Sequence, residues 1–187
     1  MKQDKALTSD MAFIHPDTPM FSELITRLQA DDALSTTRRR DMVSGLTRVA
    51  KALGRPSEAV PADVGWLQPR LARLNAAKLG LAEKSWQNAV SDARAAMVHF
   101  GIVKRRWSRP SDLSPAWQSL WKSARASGNT SMQAAICRFI YFLSWQGVGP
   151  DDVRLDHVLA FHEAVKANEI RKSPETAMRA AIDGWNL

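Results

Sequence analysis

The 187-residue sequence predicts an all-α protein built as two small helical bundles in tandem, of about four helices each. Three observations lead there. Apolar residues recur at the helical spacing i, i+3, i+4, i+7 along nearly the whole chain. No stretch of four to eight residues alternates convincingly between apolar and polar, so no strand is expected. Finally, an apolar pattern repeats at an offset of 93 residues: Val43, Leu46, Ala50 and Gly54 align with Ile136, Phe139, Leu143 and Gly147. Pro56 and Val60 follow the first copy, Pro150 and Val153 the second. A helix, a glycine–proline turn and two further helices thus occur twice, either as an internal repeat or as generic helix punctuation.

The elements follow in chain order. Phe21, Leu24, Ile25 and Leu28 mark a short first helix over about residues 19–30. Ser35 or Thr36 can cap a second, whose stripe is Met42, Val43, Leu46, Val49, Ala50 and Leu53; Gly54 ends it, with Pro56 just beyond. The third, about 63–74, follows Pro61, and Pro69 inside it predicts a break or a late start. The fourth, about 82–100, carries Trp86, Val90, Ala93, Met97 and Phe100 and stops at Gly101. Residues 104–112, KRRWSRPSD, have no apolar period and read as a linker. Ser114 caps a fifth helix with Pro115 at its first position, bearing Trp117, Leu120 and Trp121 and ending before Gly128. Thr130 begins a sixth, with Ile136, Phe139, Ile140 and Leu143, closed by Gly147. A seventh spans about 155–167 on Val158, Phe161 and Val165, and an eighth, about 174–185, starts at Ser173-Pro174. The expected organisation is a lead over 1–34, a first unit over 35–103, the linker 104–112 and a second unit over 113–187.

Composition is that of an ordinary globular protein, 45% apolar and 24% charged, against disorder or a collagen-like repeat. The single cysteine, Cys137, permits no internal disulfide. The longest apolar-rich run, Phe139 to Val148, falls short of the ~20 residues a bilayer needs, and Met1 to Asp10 has no signal-peptide core. A cytoplasmic protein with no membrane partner is expected. The net charge of +7 is uneven. Residues 1–34 carry 3 basic and 6 acidic side chains, a net −3; residues 35–111 carry 15 and 5, a net +10; the remainder carries 8 of each. A strongly basic block between an acidic lead and a neutral tail points to a polyanion-facing surface, or else to a solvated positive face.

No catalytic constellation assembles, and no cofactor or metal is expected. His157 and His162 stand five apart, a poor same-face spacing, and His162-Glu163-Ala164-Val165-Lys166 has lysine where a zinc-protease motif needs its second histidine. Cys137 and Tyr141 lie on or beside an apolar helix stripe and read as core. Gly45, Gly54, Gly80 and Gly101 are isolated punctuators, not a phosphate loop, and Asp151-Asp152 precedes a helix, where acidic residues suit the positive end. Trp86, Trp117, Trp121 and Trp145 fit apolar stripes. Trp107, inside KRRWSR, could stack on a base or pin the linker.

The basic clusters carry more information. Arg38, Arg39 and Arg40 open the second helix, where the dipole disfavours cations by ~0.3–1 kcal/mol each. An anionic partner therefore explains them better than local stability does. Thr36 and Thr37 add hydroxyls and helix-start amides suited to phosphate oxygens. Arg171-Lys172-Ser173 opens the eighth helix with Thr176 and Arg179 beyond, and Lys104-Arg105-Arg106 with Arg109 forms a third cluster.

The runs TTRRRDMVSGLTRVAKALGRPSEAVPAD and LAEKSWQNAVSDARAAMVHFGIV resemble the N-terminal region of bacterial tyrosine recombinases, the phage-integrase family. So do LSPAWQSLWKSARASG, the GVGPDDV turn and RKSPETAMRAAIDGWN, so the resemblance spans residues 35–187. It implies two SAM-like, core-binding helical domains that close on duplex DNA with a separate catalytic domain, in DNA integration or recombination. It further implies that the second and fourth helices of each unit face the DNA. In this sequence those are Thr36, Thr37, Arg38, Arg39 and Arg40 with Lys84, Ser85 and Asn88, then Thr130, Gln133 and Arg138, then Arg171, Lys172, Ser173 and Thr176. Lys104, Arg105, Arg106 and Arg109 would track phosphates, while Asn88 and Gln133 could pair with adenine. The family's tyrosine nucleophile and His-x-x-Arg motif have no counterpart: Tyr141 is the only tyrosine, and the sequence ends near where a catalytic domain would begin. The expectation is a non-enzymatic module, either an excised piece or a chain lacking the catalytic half, with self-association or a full-length recombinase as further partners. The rivals are a recombinase-derived protein–protein adaptor and a stand-alone enzyme.

Overall fold

The computed structural model describes residues 11, 13–105 and 110–186. Helix accounts for 69% of the described residues, with no strand among them, so the protein is all-α. The elements are α1 (Phe21–Gln29), α2 (Thr36–Ala52), α3 (Val64–Ala72), α4 (Glu83–His99), α5 (Pro115–Ala126), α6 (Thr130–Trp145), α7 (Leu155–Asn168) and α8 (Pro174–Trp185). None of these helices is long and apolar enough to cross a membrane. The chain divides into two compact units, Met1–Lys104 with Glu169–Arg171, and Arg105–Asn168 with Lys172–Leu187.

In the first unit, α1 buries Phe21, Leu24 and Leu28 completely, and Glu23 caps its start by accepting the Met20 amide at 2.9 Å. Met20 and Pro61 form an isolated antiparallel bridge, flanked by amide bonds from Phe21 to the Val60 carbonyl and from Ala62 to that of Pro19 (both 2.9 Å). Ser35 caps α2 and Asp63 caps α3, each side chain accepting an amide in the first turn. Contrary to the break expected at Pro69, α3 runs through it. Pro69 and Gly65 both face solvent, so the one carbonyl that loses its amide partner, on Gly65, stays open to water. Ile170 closes this core from the Glu169–Arg171 segment, whose Glu169 carbonyl accepts Gln68 Nε2 at 2.6 Å and whose carboxylate lies 3.7 Å from the buried Arg94 guanidinium.

Gly45 corrects the expectation of an isolated punctuator. It sits buried in mid-α2 against α4, where a Cβ would lie 2.6 Å from the Ala93 nitrogen, 2.7 Å from Asp92 Cβ and 2.9 Å from the Ala89 carbonyl oxygen. The absent side chain is what lets the two helices touch. Gly45→Ala gains ~1 kcal/mol of helix propensity but forces backbone apart at an overpacking cost of ~1–3 kcal/mol, which outweighs the gain where the contact is to backbone. A lower melting temperature is expected; a rise would mean that α2 and α4 separate freely.

In the second unit, α5–α8 enclose Trp117, Ile136, Phe139, Ile140, Leu143, Val158, Phe161, Val165, Ala177 and Ala181. Helix α6 begins at Thr130 as expected, and Asn129 caps it by accepting the Met132 amide at 3.0 Å. Trp145 departs from the core assignment, being 45% exposed: two residues past Leu143 rotate it about 200° from the buried stripe. The repeated pattern has a matching local structure in each unit. Gly54 and Gly147 take left-handed φ values of 68° and 73° after α2 and α6. The next amide bonds back to a helix carbonyl, Arg55 to Ala50 at 3.1 Å and Val148 to Leu143 at 3.0 Å, and a 3-10 turn follows.

Candidate nucleic-acid interface

Helix α2 organises the candidate surface. Met42, Gly45, Leu46, Val49 and Ala50 face the core. On the opposite side, within about 100° of arc, stand Thr37, Arg40, Ser44, Thr47, Arg48 and Lys51, three cations and three hydroxyls. Arg40, Arg48, Thr37, Thr47 and Lys51 are exposed, and Arg40 to Lys51 spans about 16 Å of helix. Asp41 flanks this face, 3.6 Å from Arg40.

The arginine trio at the start of α2 is divided in its roles. Arg38 Nη1 bonds to Asp92 Oδ1 at 3.0 Å, tying α2 to α4; burial pushes the Asp92 carboxyl up while Arg38 opposes that shift. Arg39 Nη1 donates to the Asp31 carbonyl at 3.1 Å and to Asp32 Oδ1 at 3.2 Å, closing the loop after α1. These bonds give both side chains local structural work, whereas Arg40 at 76% exposure extends outward. Thr36, Lys84, Ser85, Asn88 and Lys104 are also exposed in this unit, and Arg105 is exposed at the start of the second; Arg106, Trp107 and Arg109 lie outside the described residues.

The same loop carries an acid-sensitive contact. Asp31 Oδ2 lies 2.6 Å from His99 Nε2, and Oδ1 accepts the Ala33 amide at 2.9 Å. The His99 bond, with help from that amide, holds the carboxyl below its usual range. A depressed carboxyl stabilises the fold above its unfolded pKa and loses that contribution as pH falls through the folded value. Asp31→Asn is expected to lower the urea midpoint at neutral pH, with the gap between the two proteins narrowing as pH falls below ~4. A difference that persists in acid would place the effect elsewhere.

The remaining expected positions differ in their surroundings. Thr130 and Arg138 are exposed, but Gln133 Nε2 donates to the Ala124 carbonyl at 3.2 Å, closing the end of α5. Arg171 packs within the first unit, its guanidinium 3.5 Å from Glu83 and 5.8 Å from the Trp86 ring. Lys172 and Thr176 are exposed, while Ser173 caps α8 through the Thr176 amide at 3.2 Å. Arg48, Lys51 and Thr47 were not among the sequence candidates; the polar spacing opposite Met42, Leu46 and Val49 was the signal for them. Burial pushes the Cys137 thiol and the Tyr141 hydroxyl up, away from their nucleophilic forms. Among the described residues, no group of three or more His, Cys, Asp or Glu is placed to hold a metal ion. Compared with protein-family models, curated proteins and solved structures, the chain matches none.

Proposed function

We propose that the chain is a duplex-DNA-binding module without chemistry of its own, acting as the N-terminal clamp of a tyrosine-type site-specific recombinase or integrase. The recombinase role comes from the sequence resemblance. The observation that carries DNA binding is the outer face of α2, where Arg40, Arg48 and Lys51 stand among Thr37, Ser44 and Thr47 opposite the core. Flexible cations interleaved with hydroxyls suit phosphate oxygens, and phosphate contacts position a protein on DNA without reading its sequence. Lys84 and Asn88 on α4 extend the polar surface of the same unit, with Asn88 the amide able to read adenine.

The test is anisotropy of a labelled random-sequence duplex across a salt series. The affinity is expected to fall linearly with the logarithm of salt, by about 0.9 unit of slope per phosphate neutralised. No binding even at low salt would overturn the reading. It would favour a protein–protein adaptor, which Leu155 at 69%, Leu159 at 54% and Trp145 at 45% exposure on the second unit support.

A further inference from the structure

Where α2 ends, the surface opens into a cleft of about 370 Å³ lined by Thr47, Ala50, Lys51, Gly54, Arg55, Pro56 and Ser57. We infer that this cleft binds a sugar–phosphate unit, the phosphate against Lys51 and the Ser57 hydroxyl, the sugar over Ala50, Gly54 and Pro56; Thr47 lines the wall with its hydroxyl donated to the Val43 carbonyl at 2.9 Å. The inference rests on the DNA-binding reading for the source of that unit and adds a site that the resemblance does not assign.

The lining has the right chemistry. It contains two cations, two hydroxyls and no carboxylate, and its remaining surface is apolar. Lys51 and Thr47 are exposed, and Arg55 stacks its guanidinium 5.3 Å from the Trp66 ring, which orients it beside the turn. The space beside Gly54 is open: a Cβ there would meet nothing within 4 Å. The end of a helix normally repels an anion through its unpaired carbonyls. Here the Ala50 carbonyl accepts the Arg55 amide at 3.1 Å and that of Lys51 accepts the Gly54 amide at 3.0 Å, which blunts the repulsion. The volume leaves room for a sugar beside its phosphate. The cleft also continues the Arg40–Thr47–Lys51 line of α2, so one strand's backbone can follow the helix into it.

The experiment uses the full chain, amide-labelled for NMR, with three probes: a random-sequence duplex, deoxyadenosine monophosphate and inorganic phosphate. Duplex is expected to shift the amides of Thr47, Gly54, Arg55 and Ser57. Lys51→Gln is expected to retain the parent's melting temperature, weaken duplex about eightfold at 0.1 M salt and flatten the salt slope by about 0.9. If duplex binds both proteins equally and leaves those amides unmoved, the cleft assignment is overturned while DNA binding stands. If duplex fails to bind but the mononucleotide shifts the same amides, and Lys51→Gln abolishes that shift, the cleft stands as a free-nucleotide site and the DNA reading falls. A response to inorganic phosphate equal to that of the mononucleotide would remove the sugar from the assignment. Silence with all three probes overturns both.

Discussion

Replacing Arg40 and Arg48 together with glutamine is expected to weaken random-duplex binding about 60-fold at 0.1 M salt and to flatten the salt slope by about 1.8 units, through the loss of two phosphate contacts. The arithmetic is counterion release, near 0.9 logarithmic unit per contact for each decade of salt. The two residues are chosen for what they do not do in the fold: both are exposed on the face of α2 opposite its buried stripe. Melting temperature should therefore hold. Arg38 and Arg39 are poorer probes, although the sequence marks them equally. Removing Arg39 opens the loop it closes through the Asp31 carbonyl and Asp32, and removing Arg38 strips Asp92 of its 3.0 Å partner. A loss of binding in either variant would mix fold with contact. If the Arg40 and Arg48 double variant binds with the parent's affinity and slope, the outer face of α2 does not meet DNA.

Trp117→Ala is expected to cost ~3–5 kcal/mol, a large share of the ~5–15 kcal/mol that holds a typical domain together. Trp117 is wholly buried, its ring centroid 5.9 Å from that of Trp185, and its Nε1 donates to the Val148 carbonyl at 2.6 Å. Truncation removes a large apolar surface and also leaves that carbonyl without its donor. Trp117→Phe separates the two effects: it retains much of the bulk, so its cost should approach the ~0.5–1.5 kcal/mol of one hydrogen bond to the half-buried Val148 carbonyl. Urea unfolding followed by near-ultraviolet circular dichroism measures both. Equal midpoints for the parent and the alanine variant would mean that the second unit repacks around the vacancy.

Helix positions were legible because they depend on local periodicity and punctuation. Ser35 and Ser173 mark starts through their own hydroxyls, and Gly54 and Gly147 mark stops because a left-handed turn favours a residue without a Cβ. Pro69 misled because proline's cost depends on whether the orphaned carbonyl meets solvent, which needs the third dimension. Trp145 was assigned to the stripe although it stands about 200° round the helix from buried Leu143, an offset that strict helical spacing already marks as solvent-facing.

The candidate site was only partly legible. The sequence placed a basic block at residues 35–111 and a cluster at Arg38–Arg40, since charge is a property of composition. It could not say which of those cations the fold itself employs. Arg39 turns inward because α1 ends within reach of its guanidinium, and Gln133 because α5 does. Arg171, sequentially in the second half, belongs to the first unit beside Glu83 and Trp86. By itself, then, the sequence determined the all-α class, the helices and the excess of positive charge, all set by neighbours within a few residues. The tertiary structure alone decided that Arg38 pairs with Asp92 and Arg171 with Glu83, and how closely α2 meets α4 at Gly45. Each of those depends on groups distant in the chain arriving within hydrogen-bond or van der Waals distance, and no local pattern encodes that meeting.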